Sequence, residues 1–268
     1  MNSDDRGPKQ VLQNLLPSCH PERPSPGHVH VWWRTQAEAL ACVRAVVADE
    51  NSLLTPGDVL SLSRTTHEKA KEARRCTRVL FRALALQLYG PELARTELLE
   101  GAHGKPSFPK GHAGQPLDAV PEFSLSHSGE TVAVALSHAG PVGVDVEAAR
   151  LDALRAARMA PRVLDAPTLL KWETLAPDER TAAFLSQWTL REALLKATGE
   201  GLTRDPRSLD IPLMHESGAS HGVPVDQGLS SEHNATPGAS LVVWRVHLLC
   251  TAPHVALAAE PHAKVRVF

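Results

Sequence analysis

No excess of one charge sign marks this sequence: 28 Lys and Arg stand against 30 Asp and Glu, a formal net charge of -2. That balance excludes the broad positive field of dedicated nucleic-acid or membrane-surface binders, so any anion site must be local. Closely spaced cysteines are missing too. Cys19, Cys42, Cys76 and Cys250 form no CxxC pair, which argues against a zinc ribbon or a disulfide framework and fits reduced thiols in a cytoplasm. Long apolar runs are also absent. The N-terminus lacks a basic segment followed by one, and the most apolar late stretch, Ser240 to Cys250, is broken by Arg245 and His247. The expectation is an untargeted cytoplasmic protein with neither a membrane nor a nucleic-acid partner. The remainder is ordinary for a globular chain: 43% hydrophobic and 22% charged residues over 268 positions, enough for one large domain or two small lobes.

Residues 1 to 27 carry Pro8, Pro17, Pro21, Pro24 and Pro26 among polar residues, with one short apolar patch from Val11 to Leu16, and read as a flexible tail. Glu68 to Tyr89 contains no Pro or Gly and brings Val79, Leu80, Ala83, Leu84 and Leu88 together at helical spacing before Gly90-Pro91, which predicts a helix. Thr131 to Ser137 and Val142 to Glu147 alternate as strands around a His138-Ala139-Gly140-Pro141 turn. A second helix is predicted over Thr181 to Thr198, closed by Gly199 and Gly201. Residues 203 to 239 are rich in Pro, Gly, Ser and His. Leu241 to Leu249 and Val255 to Ala259 then read as a closing hairpin. This order predicts an α+β fold of two similar lobes, placed at 28–139 and 140–268.

Four segments carry chemistry. In Gly143 to Glu147 (GVDVE) the two-residue period of a strand puts Asp145 and Glu147 on one face and Val144 and Val146 on the other. Adjacent carboxylates repel unless a cation lies between them, and oxygen ligands of this kind suit magnesium; the plain alternative is a solvated edge strand. In Trp188 to Lys196 (WTLREALLK), Trp188, Glu192 and Lys196 recur every four residues and share one helical face. Glu192 then reads as a third metal ligand or a general base and Lys196 as a phosphate contact, against a surface ion pair of roughly 0.3 to 0.5 kcal/mol. Phe123 to Gly129 (FSLSHSG) sets Ser124 and Ser126 on one face and delivers His127 at a strand end beside a turn glycine. Ser126 and His127 point apart on a strand and no nucleophile elbow is present, so a Ser/His hydrolase is only weakly indicated. Gly104-Lys105-Pro106 holds a lysine on a stiff turn.

Arg74, Arg75, Arg78 and Arg82 cluster in the first predicted helix, where guanidinium forks can hold a phosphate or face solvent. His28 and His30 have the strand spacing of a shared metal site, but a lone pair beside a tail argues against one.

Taken in order, Gly104-Lys105-Pro106, Phe123 to Ser128, Gly143 to Glu147 and Trp188 to Lys196 resemble the motif series of the 4′-phosphopantetheinyl transferase superfamily, in its two-lobed monomeric branch, the Sfp type. The resemblance implies a pseudo-twofold pair of α+β lobes with coenzyme A in the cleft between them. It implies transfer of phosphopantetheine to a serine of apo acyl, peptidyl or polyketide carrier proteins. Asp145, Glu147 and Glu192 would hold Mg2+; Lys196 and His127 would meet the pyrophosphate; Ser126 and Lys105 would help seat the nucleotide half; Arg78 or Arg82 would meet the 3′-phosphate. Glu192, Lys196 and His127 are the implied catalytic residues. Ser124 and Arg191 depart from the family's usual Asn and Lys. Two other readings use the same residues: a magnesium hydrolase of the coenzyme A pyrophosphate, and a non-catalytic module that binds coenzyme A or a carrier.

Overall fold

The computed structural model describes residues 21–101, 103–109, 120–148, 151–214, 216–226 and 241–268. The fold is α+β. One four-stranded sheet is ordered β10-β1-β5-β4, from Lys264–Val267, His28–Thr35, Thr131–Ser137 and Glu122–Ser128. A second is ordered β6-β9-β8-β7, from Gly143–Glu147, His254–Ala259, Leu241–Thr251 and Ser220–Asp226. Within the two sheets only the β1/β10 pairing is parallel. The minor ladder β2/β3 pairs Leu99–Glu100 with Pro106–Ser107. Helices α1 (Gln36–Arg44), α2 (Pro56–Ser63) and α3 (Glu68–Tyr89) precede β2, and α4 (Ala153–Val163), α5 (Ala166–Glu173) and α6 (Pro177–Thr198) follow β6.

Each sheet carries one 22-residue helix on its outer face, α3 on the first and α6 on the second. Helix α3 spans the predicted residues because nothing in it breaks the helix. It stops at Gly90, whose φ of 90° is open to a residue without a side chain. The sheets are buried on both faces, and the period of two shows how. On β5, Val132, Val134 and Leu136 join Val79 and Phe81 of α3, while Ala133 and Ala135 join Val29 and Val31 of β1 and Val144, Val146, Val255 and Leu257 of the second sheet. The small residues alternating with valine in this strand are therefore an interface between sheets. On the far side of the second sheet, Ala256 and Ala258 meet Leu190 and Leu194 of α6.

The two sheets are also joined along their edges. Strand β4 ends the first and β6 ends the second. Ser124 Oγ accepts the Val144 N–H at 3.0 Å and Ser126 Oγ accepts the Val146 N–H at 3.2 Å. Serine hydroxyls here do what a backbone ladder does elsewhere, and they satisfy edge groups that would otherwise be open. The last strand, β10, lies on β1 rather than in the second sheet, so sheet membership does not follow chain order.

Histidine spacing in β1 has a structural use. His30 is buried, with Nδ1 3.0 Å from the Glu22 carbonyl and its ring 4.9 Å from that of Phe268, whereas His28 is half-exposed. Burial, helped by the nearby Arg266, lowers the His30 pKa below 6.5. The unfolded chain therefore takes up a proton as pH falls through about 6.5 while the folded chain resists it, so this residue's contribution is complete above that pH and is lost below it. Urea denaturation from pH 7 to pH 5 should show the stability gap between the wild type and His30→Leu narrowing; a gap constant with pH would contradict the assignment. Among the described residues no helix is long and apolar enough to cross a membrane.

Candidate active site

The seam between β4 and β6 opens into a cleft of about 260 Å3, roofed by α3 and floored by the end of α6; its lining includes Arg74, Thr77, Arg78, Pro106, Ser126, His127, Asp145, Glu147 and Lys196. A second recess of about 190 Å3 shares Pro106, Leu125 and Lys196 with it and adds Lys105, Ser124 and Gly199. Asp145, Glu147, Lys196, Ser126, His127 and Arg78 thus meet in one cleft, with Lys105 beside them.

The acidic face is held by hydroxyls and one ammonium. Ser126 Oγ donates to Asp145 Oδ1 at 2.8 Å, and Lys196 Nζ donates to the same oxygen at 2.6 Å. Ser128 Oγ donates to Glu147 Oε2 at 2.8 Å, and the Trp188 side chain also hydrogen-bonds to that carboxylate. Ser124, Ser126 and Ser128 alternate along β4, so one face of the strand supplies the whole row. Ser128 and Trp188 lie inside the motifs read from sequence, yet their part in holding Glu147 was missed there. The period of two that picked out Ser124 and Ser126 would also have picked out Ser128.

Glu192 projects from α6 toward this group. Burial first, and then the Asp145 charge, raise its pKa from 4.5 to about 7, against the pull of Lys196. Glu147 is also raised, mainly by burial. His127 is lowered by burial, with Lys196 and Arg74 adding to the effect, and Lys105 is lowered by burial. Its Nζ donates to the Val142 carbonyl at 3.1 Å, bracing the start of β6.

Among the described residues no three His, Cys, Asp or Glu side chains stand together closely enough to hold a metal ion. The donor set nevertheless fits one. Asp145 Oδ2 and Glu192 Oε1 are buried with no hydrogen-bond partner. Two orphaned carboxylate oxygens beside a third carboxylate are expensive unless a cation takes them.

The arginines separate. Arg78 is buried, 3.3 Å from Asp58, and its NH1 has no hydrogen-bond partner at the cleft wall. Arg82 corrects the sequence reading. It is fully buried and turned away from the cleft: Nε binds Asp58 at 2.8 Å and NH1 binds the Ala94 and Thr96 carbonyls at 2.9 and 2.7 Å. Its donors tie α2 and the chain after Pro91 to α3, and its complete burial outside the cleft lining keeps it from a phosphate there. At i,i+4 on one helix, one arginine reaches the cleft and the other the core because α3 is packed on both sides.

Arg191 is likewise a packing residue. Its NH2 is 2.8 Å from Asp165, its NH1 bonds to Gln187 and its Nε donates to the Pro206 carbonyl at 3.3 Å, and burial pulls its pKa down to about 10. It locks the chain around 206–211 onto α6. Arg191→Lys should lower stability by about 1–2 kcal/mol, because one ammonium cannot replace a fork with three sets of partners. A denaturation midpoint unchanged from wild type would contradict this.

Residues 141–238 match the family model described as the 4′-phosphopantetheinyl transferase superfamily. Over 104 residues the chain is 39% identical to 4′-phosphopantetheinyl transferase AcpT of Salmonella typhimurium, which is 38% of this chain and 50% of that protein. Over 148 residues it is 26% identical to the 4′-phosphopantetheinyl transferase of Bacillus subtilis, covering 54% of this chain and 60% of the relative. Over 176 residues it is 32% identical to the uncharacterized protein YieE of Escherichia coli, covering 59% and 64%. The match thus spans about half of the AcpT protein's length and less than two thirds of the other two.

Proposed function

We propose that this chain, which belongs to the 4′-phosphopantetheinyl transferase superfamily through residues 141–238, moves the phosphopantetheine arm of coenzyme A onto a serine of an apo carrier protein. The observation that carries the reading is the pair of buried, unpartnered oxygens: Asp145 Oδ2, on a carboxylate that lines the cleft with Glu147, Lys196, His127 and Arg78, and Glu192 Oε1 on α6, behind the cleft lining but near enough to feel the Asp145 and Glu147 charges. A carboxylate set facing cationic side chains suits a substrate that is itself a phosphoanion and brings a hard cation with it. A module that only bound coenzyme A would have little use for buried acids.

In this reading the carrier serine oxygen forms a bond to the phosphorus next to pantetheine, and the pyrophosphate bridge breaks to release adenosine 3′,5′-bisphosphate. Glu192 takes the serine proton. Lys196 and His127 face the leaving oxygen, Ser126 and Lys105 seat the nucleotide half, and Arg78, with Arg74 beside it, meets the 3′-phosphate. Asp145, Glu147 and Glu192 would hold Mg2+, which when bound offsets charge on phosphoryl oxygens. Two lobes, 28–139 and 140–268, would flank the site, with the last strand returned to the first. A cytoplasmic monomer acting on acyl, peptidyl or polyketide carriers completes the proposal.

The test is the intact mass of apo carriers of these classes incubated with the protein, coenzyme A and Mg2+. A gain of about 340 Da, the mass of one phosphopantetheine on serine, is expected, and it should vanish with chelator or with a carrier lacking the serine. Phosphopantetheine released without any acceptor would make the protein a hydrolase. No gain on any carrier class, with coenzyme A still bound, would make it a binding module.

A further inference from the structure

Lys196 has its ammonium fully engaged inside the protein. Nζ donates to Asp145 Oδ1 at 2.6 Å, to Ser126 Oγ at 3.0 Å and to the Val144 carbonyl at 3.3 Å. An ammonium has three hydrogens, so none is left for a phosphate oxygen. The three partners lie on β4 and β6 while Lys196 rides on α6, so the side chain pins the helix end to the seam between the sheets. On the carboxylate it holds, the other oxygen is buried and unpartnered.

These contacts set up a competition. A dication attracted to Asp145 and Glu192 comes close to an ammonium that already neutralises Asp145, and like charges at such separations repel strongly in a half-buried site. Only one of them can be the counter-ion of Asp145 at small energetic penalty. Side-chain torsions of lysine are free enough to let the ammonium leave, and Lys196 is 29% exposed on its side chain, toward the cleft.

We infer that Lys196 is the internal counter-ion of Asp145 in the metal-free protein, and that a divalent cation taken up by the acidic set displaces it, releasing the ammonium as a donor for phosphate. The inference rests on the metal reading of the acidic set proposed above. Cation uptake then precedes productive phosphate contact: the ammonium is withheld until the charge that replaces it has arrived. Linkage makes the effect reciprocal, so removing the ammonium must tighten cation binding.

The experiment uses the full chain and Mg2+ alone. Mg2+ is titrated calorimetrically into wild type, Lys196→Met and Lys196→Arg, and wild type carrying 13C at lysine Cε is titrated by NMR. Lys196→Met is expected to bind Mg2+ more tightly by about tenfold or more, with Lys196→Arg staying close to wild type because the charge remains. The Lys196 resonance is expected to move with Mg2+ saturation in the absence of coenzyme A and carrier. A folded Lys196→Met with equal or weaker Mg2+ affinity overturns the inference. So does a Lys196 resonance unmoved at saturation, which decides the matter alone if the methionine variant does not fold. Wild type that binds no Mg2+ removes the metal reading and the exchange together, whereas a resonance that moves while no carrier gains mass removes the transferase reading and leaves the exchange standing.

Discussion

Gly143→Ala should unfold the seam between β6 and α6. A Cβ at this position would stand 1.9 Å from the Ala193 carbonyl oxygen and 2.5 Å from the Ala197 amide nitrogen. Both are helix backbone atoms, so no rotamer change relieves the overlap, and the helix itself has to retreat by about 1 Å to reach even the tightest real contact, 3.0 Å. That helix packs Leu190, Leu194 and Leu195 into the core of the second sheet and carries Glu192 and Lys196. Overpacking of a well-filled core typically costs about 1–3 kcal/mol and occasionally more. A backbone clash of this depth belongs at the upper end, and a displacement of about 1 Å near the chemistry can cost roughly 10²-fold in rate. Gly222→Ala is the control, since its Cβ would meet Val243 Cγ1 at an ordinary 3.5 Å. Thermal denaturation should show a fall of several degrees or more for Gly143→Ala and little change for Gly222→Ala. Equal stability of the two would mean that helix and strand do not touch as described.

Gly143 also illustrates what can be read from sequence and what cannot. The glycine opens a motif recognised for its carboxylates, but its own role is a close approach between two elements far apart in the chain. Local patterns were legible where one principle acted alone. Helix Glu68–Tyr89 has no breaker and a glycine stop, and strand Thr131–Ser137 follows simple alternation; both have the predicted bounds. The second helix begins at Pro177, earlier than the predicted Thr181, because Pro is favoured in a first turn. Strand β7, with Gly222 and Pro224 inside it, was not legible: both residues speak against a strand, and the sheet tolerates them only because β7 is an edge. Strand β10 has no local signal that would send it to β1. The predicted tail of 1–27 lies mostly outside the described residues, as does the later part of 203–239, from 227 on.

At the site, residue types were legible and partners were not. Asp145, Glu147, Ser126, His127 and Lys196 share a cleft, as expected from a face of a strand and a face of a helix. Arg82 looked equivalent to Arg78 because spacing along α3 says nothing of what packs on each side. Only the three-dimensional neighbours, Asp58 and the Ala94 and Thr96 carbonyls, divide a cleft arginine from a buried one.

Glu192→Gln should have the largest effect on rate and the opposite effect on stability. Glutamine keeps the shape but can neither accept the serine proton nor contribute a negative charge to a cation site, so the transfer rate should fall roughly 10²- to 10⁴-fold, while coenzyme A binding by the metal-free protein changes little. Stability moves the other way when metal is removed. The folded carboxyl has its pKa raised from 4.5 to about 7, so its contribution is intact below the unfolded value and is lost as pH rises from 4.5 through about 7. Above that range the chelated wild type carries a buried, repelled carboxylate, and relieving it is worth on the order of 3 kcal/mol at 1.36 kcal/mol per pKa unit. In chelator at pH 8 the variant should therefore be the more stable protein, with the difference closing toward pH 4. Adding Mg2+ should stabilise wild type more than the variant. A slow but not stabilised variant would mean that Glu192 is catalytic without being buried and repelled. A stabilised variant that still transfers at the wild-type rate would leave its carboxylate a structural liability with no part in the chemistry, and the proton would have to go elsewhere.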